Sequence, residues 1–350
     1  MRDARRFLSR WATALSLLLT IPACGSSQTG TRVPNENASA DATSSTDSGS
    51  KTDATGGAND AKTEAKSVAT GGDTSPGKSG ATNDGSGDKP YNLALFEVAR
   101  PPFAYTLKTA VKVAASPAPV LTLVSEKKNK LTNEADWFDK NGLSLAGRKP
   151  TNGPVYPKAP VDGLETSGKD KLHAVLDHGD HSILMYGANF SAMTTLLLLD
   201  KDKIARGQFD FSAWVKPSDV VAGEETFTQM EVLWAQKVDD VLYVSTAHHT
   251  FAKSSKGKNA FVSAIDTKSG ELRWQSDSLV CNSANFIVHG AYILCGYGFT
   301  KEDDFIYVIS RADGKTVSKT QIKQGPAYLA MKGKQLFVRA YDTDYVFDVK

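Results

Sequence analysis

From residue 173 onward the chain alternates apolar and polar positions in short runs, with a period of two. Runs such as Val241-Leu242-Tyr243-Val244-Ser245 and Phe305-Ile306-Tyr307-Val308-Ile309 are β-branched and aromatic, and Gly, Asp, Asn or Lys bound them. Side chains of this kind pack well on a pleated, half-buried surface, so the runs predict strands. No segment after Ala23 sustains a helical stripe, and the expected fold class is all-β.

The runs pair into hairpins that repeat. HAVLDHGDHSILMYG predicts a turn at His178-Gly179, VLWAQKVDDVLYVSTA at Asp239-Asp240, ANFIVHGAYILCGYG at His289-Gly290 and AYLAMKGKQLFVRAY at Lys332-Gly333. A third strand follows each hairpin, from Thr194, Phe261, Phe305 and Asp344. Three units continue into a fourth strand, near Ile204, at residues 271–274 and at residues 315–318. Four-stranded antiparallel units at this spacing are the sequence form of β-propeller blades, and at least four are visible within residues 173–350. The last unit ends after its third strand. An open edge there is a liability, so a strand from the other end is expected to complete it, with residues 103–107 and 120–124 as candidates. Residues 131–170, with ADWFDKNG and several prolines, fit no blade and read as a degenerate blade or a decorated linker.

AIDTKSGELRW, residues 264–274, falls on the third-to-fourth strand turn of the second unit. It resembles the A-x-D-x-x-x-G-x-x-x-W motif of quinoprotein-like propeller repeats. Asp266 can accept hydrogen bonds from the turn backbone, Gly270 can supply a positive φ, and Trp274 can pack on the neighbouring blade. The other copies are worn. VISRADGKTVS keeps Gly314 but places Ser310 and Ser318 where Asp and Trp are expected, and LLDKDKIARG keeps Asp200 alone.

The start of the chain has a different texture. Arg2, Arg5, Arg6 and Arg10 precede an apolar stretch from Trp11 to Ile21, which reads as an export signal too short to span a membrane. Its exit, Ile21-Pro22-Ala23-Cys24, resembles the lipobox of bacterial lipoproteins. That resemblance implies removal of residues 1–23 and lipidation of Cys24; an ordinary secretory peptide is the alternative. Residues 24–90 are Ser, Thr, Gly, Ala, Asp, Asn and Lys, with Val33 and Val68 as the only large apolar side chains. Such a segment cannot offset the entropy of its own ordering and reads as a disordered tether ahead of a propeller domain at 91–350.

Charge narrows the partners. The chain carries a net +2, residues 91–350 also come to +2, and there is no basic stripe, so nucleic acid is not expected. With Cys24 lipidated, Cys281 and Cys295 form an even remainder in an oxidising compartment. A disulfide needs a longer turn or a bend before Ala284, because a two-residue turn at His289-Gly290 sets Cys295 opposite Ala284; two buried free thiols are the alternative.

Catalytic and metal readings find less support. No adjacent cysteine pair, acidic cluster with calcium-ligand spacing or G-x-S-x-G elbow is present. Asp177-His178-Gly179-Asp180-His181 has the residue types of a zinc site, but reads first as a hairpin turn. His248 and His249 follow a strand and precede a Ser-Lys-Gly loop, and adjacent strand residues point to opposite faces, which predicts two independent, exposed side chains, with a pH-sensitive surface as the alternative. Trp214, Trp234, Trp274, Tyr292, Tyr297 and Tyr328 read as inter-blade core or as a binding platform.

The expectation is therefore a lipoprotein anchored to the cell envelope through Cys24, whose propeller is a non-catalytic binding or scaffold module. No cofactor or metal is expected, and the partner would be an envelope protein or glycan. The general plan resembles the propeller lipoproteins of outer-membrane β-barrel assembly machinery, without their eight regular blades, and Gly25 after the cysteine fits delivery to an outer membrane. A quinone-dependent or other envelope enzyme with an axial site, and a surface glycan-binding protein, are the alternatives.

Overall fold

The computed structural model describes residues 94–130, 133–146 and 157–350. The expected leader at 1–23, Cys24 and the tether at 24–90 lie outside the described residues. The domain opens with three separated strands, β1 (Leu95–Glu97), β2 (Thr106–Leu107) and β3 (Leu121–Lys128), and a helix, α1 (Glu134–Asn141). Four sheets then follow in chain order.

The first contains β4 (Thr166–Ser167), β5 (Asp170–Asp177), β6 (His181–Gly187), β7 (Met193–Asp200) and β8 (Ala205–Asp210). The second contains β9 (Glu231–Val238), β10 (Val241–Ala247), β11 (Phe261–Asp266) and β12 (Leu272–Gln275). The third is β13 (Ile287–His289), β14 (Tyr292–Tyr297), β15 (Asp304–Ser310) and β16 (Thr316–Ile322). The fourth has β17 (Pro326–Lys332), β18 (Gln335–Ala340) and β19 (Thr343–Val349). Consecutive strands within each are antiparallel neighbours, and the sheets are the blades of a β-propeller.

The opening strands bind these blades together. β1 pairs in parallel with β8 on the first blade, and β2 pairs with β12 on the second. On the third, Val111 N donates to Ala312 O (2.8 Å) and Ala291 N donates to Ser116 Oγ (3.0 Å). β3 then pairs with β19 and becomes the fourth strand of the last blade, with Leu121 opposite Val349 and Lys128 opposite Thr343. The segment is a strap that visits the four blades in order. Of the two candidate closing strands, 120–124 supplies the closure, whereas the strand within 103–107 extends the second blade.

Residues 131–170 hold α1, so the chain is not free of helix. Eight residues are too few to display a helical stripe in sequence, but the ends are well marked. Asn133 Oδ1 accepts from Ala135 N at 2.9 Å, and Gly142 closes the helix at φ +62°. Buried Trp137 and Phe138 pack against the outer blades. Phe138 meets Tyr328 of β17 edge-on at 5.6 Å, and Asp177 N at the end of β5 donates to Ala146 O at 3.1 Å. Leu143, Leu145, Ala174 and Leu176 share one buried cluster with Tyr328 and Ala330. The helical segment thus stands between the fourth blade and the first.

Three hairpin turns sit one residue beyond the expected positions, at Gly179-Asp180, Gly290-Ala291 and Gly333-Lys334; the fourth is at Asp239-Asp240 as read from sequence. Tight hairpins need a positive φ at the first central position, and Gly179, Asp239, Gly290 and Gly333 all have one, between +55° and +89°. Glycine therefore opens the turn instead of closing it.

Candidate binding cleft between the third and fourth blades

The turn at AIDTKSGELRW shows how blades are sealed. Asp266 Oδ1 accepts from Lys268 N and Ser269 N, both at 2.9 Å, Gly270 takes φ +73°, and Gly270 N donates to Asp266 O at 2.9 Å. Burial would raise the Asp266 carboxyl, but the Arg273 guanidinium bonded to it and the two amides outweigh burial and hold it down at about 2. Trp274 is fully buried and lies across the interface on Gly314 of the third blade, where a Cβ would come within 2.5 Å of the indole. Its Nε1 donates to Arg311 O at 3.0 Å. The pair is complementary: a large ring on one blade fills the space left by a glycine on the next.

The first interface is sealed by a substitute. In strand register Gly207 occupies the place that Trp274 has on the second blade, since Gly207 faces Leu198 as Trp274 faces Ala264. Phe96 of the strap fills the gap. A Cβ on Gly207 would lie 3.3 Å from the Phe96 ring, and one on Gly270 would lie 2.5 Å from the Phe96 side chain. Phe96 also stacks on Phe209 with centroids 5.2 Å apart.

Between the third and fourth blades neither solution operates. The register equivalent of Trp274 is Ser318, opposite Val308, and it is exposed. The fourth blade offers no turn glycine to receive a ring, because its outer strand is β3 and arrives from the other end of the domain. The two blades still share one buried cluster, with Tyr345 and Phe347 of the fourth and Ile306, Val308 and Ile322 of the third, and outside it a cleft of about 650 Å3 lies between β16 and the β19–β3 pair. Its lining is mixed: Phe347 and Tyr345 are 1% and 2% exposed and so belong to the core beneath it, while Leu121, Leu123 and Ile322 line it beside Thr320 and Gln321.

The rim is acidic. Glu126, Glu302, Asp303 and Asp304 line it against a single cation, Lys323. Lys323 Nζ is bonded to Glu126 Oε1 at 2.6 Å across the cleft, and Lys323 N donates to the Tyr345 hydroxyl at 3.1 Å. Glu302 is also engaged, accepting from Ala252 N at 2.8 Å and from the Tyr297 hydroxyl. Asp304 is different. Its Oδ1 is buried without a hydrogen-bond partner, resting against Gly298 and Gly325, where a Cβ on Gly298 would fall 2.0 Å from it. Burial, then the charges of Asp303 and Glu302, push this carboxyl up to about 6.

The histidine candidates have structural partners. His178 Nε2 donates to Ala235 O (3.1 Å) and stacks on His181 at 4.7 Å. His181 Nδ1 donates to Asp180 Oδ1 (2.6 Å), and its Nε2 accepts from Lys237 N (3.2 Å). The two rings clasp the first blade's turn to β9, and burial, followed by the neighbouring His181, lowers His178 to about 4. His248 and His249 do serve different partners, but His248 is buried, not exposed. Its Nε2 lies 2.7 Å from Ser255 Oγ, and burial, then His249, lowers it to about 3. His249 Nε2 donates to buried Glu231 Oε1 at 2.6 Å. Among the described residues no three metal-ligating side chains converge. Trp214, Trp234, Trp274, Tyr297 and Tyr328 are all buried and belong to the core.

Cys281 and Cys295 are joined as a disulfide with Cα atoms 5.4 Å apart. The strand before the turn is only three residues long, and the chain bends ahead of it: Asn282 N and Ser283 N both donate to Gly296 O, at 2.9 and 3.1 Å. That bend returns Cys281 to Cys295.

No protein-family model matches the chain, and no curated protein matches it. Among solved structures it is similar to BamB from Moraxella catarrhalis, at 13% identity and TM-score 0.28, over 65% of this chain and 100% of that one. It is similar to the β-propeller domain of Cps50 (Swd1) from Myceliophteria thermophila, at 10% identity and TM-score 0.33, over 56% and 59% of the two chains. A europium-containing methanol dehydrogenase is matched at 13% identity and TM-score 0.28, over 43% of this chain and 24% of the other. Likeness at this level names no family, so function is argued from the cleft.

Sequence reasoning missed this site. Its residues come from four separate stretches: 121–126, 302–304, 320–323 and 345–347. The one local signal is the acidic run Glu302-Asp303-Asp304, which leads into β15. Ser318, which in sequence is only a lost tryptophan, marks the interface that the cleft borders.

Proposed function

We propose that this protein is a non-catalytic scaffold of the cell envelope, anchored through lipid on Cys24, whose propeller docks a protein partner in the cleft between its third and fourth blades. The observation that carries the reading is the cleft itself: a recess lined by half-exposed Leu123 and rimmed by acids, at an interface where Ser318 stands in the register place of Trp274. A recess that joins exposed apolar side chains to a few convergent polar groups is a usual form of binding site. The rigid blades position it, and the tether supported by the sequence would let the domain reach its partner away from the membrane.

Filling the cleft tests the docking claim. Thr320 lines it, and Thr320→Trp would insert an indole where the partner is expected to sit. The variant should keep the wild-type melting temperature to within a few degrees and lose its partner on co-purification. Retention of the partner by a folded Thr320→Trp protein would count against the cleft. The anchor is tested separately, because Cys24→Ala should move the protein to the soluble fraction, and continued membrane retention would contradict lipidation.

A further inference from the structure

The strap treats the outer edges of the blades unequally. On the first two blades it lays an extra strand along the edge, β1 on β8 and β2 on β12. On the fourth the strap is itself the outer strand, and among the described residues no strand pairs with the far side of β3. We infer that this edge pairs with the same edge of a second copy of the chain, antiparallel about Thr122, so that two fourth blades join into one continuous sheet.

The edge sequence selects a copy of itself. Residues 120–124 read Val-Leu-Thr-Leu-Val, a palindrome centred on Thr122. A two-fold axis at Thr122 sets Val120 against Val124, Leu121 against Leu123 and Thr122 against Thr122 of the second copy, all favourable cross-strand pairs. Val120, Leu123 and Val124 are 61%, 51% and 52% exposed, and the stretch from Val120 to Ser125 carries no charge. Lys127, Lys128 and Lys130 fall beyond the paired stretch, so like charges are not opposed. An uncharged, apolar open edge is the kind that adds a strand. β16, whose outer edge also pairs with no described strand, is different: Lys319 at its middle would meet its own copy in the equivalent arrangement.

The backbone presents the groups that this pairing needs. Val120 N donates to Lys350 O at 2.9 Å and Lys350 N donates to Val120 O at 3.2 Å, so Val120 turns its peptide groups inward to the fourth blade. In an antiparallel ladder this alternates, and Thr122, opposite Asp348, also faces inward. Leu121 and Leu123 therefore aim their N–H and C=O groups at the open side. About a two-fold at Thr122, Leu121 exchanges both hydrogen bonds with Leu123 of the second copy, and the two threonines take the close, non-bonded position between them. The paired stretch is short, so a weak dimer is expected, with a dissociation constant in the micromolar range.

The test is disulfide trapping of the full-length protein in intact cells, read by non-reducing electrophoresis. Thr122→Cys should give a reducible dimer, because the two threonines face each other at a Cα separation of about 4.5 Å, within disulfide reach. Lys127→Cys, on the same strand, should not, since its two copies would stand roughly 33 Å apart. Purified full-length protein should approach the mass of a dimer in sedimentation equilibrium at about 200 µM and that of a monomer at about 1 µM. Thr122→Lys, at an exposed position, should weaken the dimer at least tenfold and leave the melting temperature unchanged. No dimer from Thr122→Cys, equal trapping of Lys127→Cys, or a dimer unaffected by Thr122→Lys would overturn the inference. Thr122 does not line the cleft, so Thr122→Lys should still retain the partner that Thr320→Trp loses, and the dimer and docking readings fail separately.

Discussion

At the scale of single residues, the exchange of a ring for a glycine decides which interfaces close. Trp274 on Gly314 and Phe96 on Gly207 and Gly270 are two versions of one device, and Ser318 shows the effect of its loss. Trp274→Ala should cost about 3–5 kcal/mol, measured by urea denaturation, because the indole is fully buried and its neighbours form rigid strands. Asp266 gives a prediction in pH. Its folded-state pKa of about 2 lies below the ordinary 3.8, so its contribution is complete above that range and is lost as pH falls from about 4 toward 2. Asp266→Asn should therefore be less stable than wild type at pH 7, and the gap should narrow between pH 4 and pH 2. A gap that stays constant to pH 2 would show that the carboxylate does not carry the turn. The local roles of Asp266, Gly270 and Trp274 were readable because a turn motif declares its own chemistry. Asp304 was not, because its burial depends on Gly298 and Gly325, which reach it only through the fold.

Among the elements, strands were more legible than their joints. Period-two alternation marks strand faces directly, so the third strands from Phe261, Phe305 and Asp344 lie within a residue of the positions expected. Turns shifted by one residue because glycine serves the first central position, and α1 was invisible because two turns of helix carry no periodic signal. The strap was legible only in part. The missing fourth strand required a donor, but nothing local shows that the same segment would cross three other blades first. Phe96→Ala should cost about 3 kcal/mol and loosen the first two blades together, read as faster amide hydrogen exchange in both β8 and β12. The disulfide holds another joint. Replacing Cys281 and Cys295 together by serine should lower stability by about 3 kcal/mol, and reduction of the wild type should have a similar effect.

At the scale of the whole molecule, the way the fourth blade is made shapes the surface around it. Building its outer strand from β3 closes the sheet but removes the turn on which a third-blade tryptophan would have rested. Closure of the fold and opening of the cleft thus have the same cause, and the acids at 302–304 lie at the mouth that results. The most direct measurement of the central claim is site-specific photo-crosslinking in intact cells. A photoreactive residue at Leu123, half exposed within the cleft, is compared with one at Lys201, on an exposed turn of the first blade. The account predicts a discrete adduct from Leu123 to a different protein that disappears in Thr320→Trp. An adduct from Lys201 with none from Leu123, or a Leu123 adduct indifferent to Thr320→Trp, would contradict it.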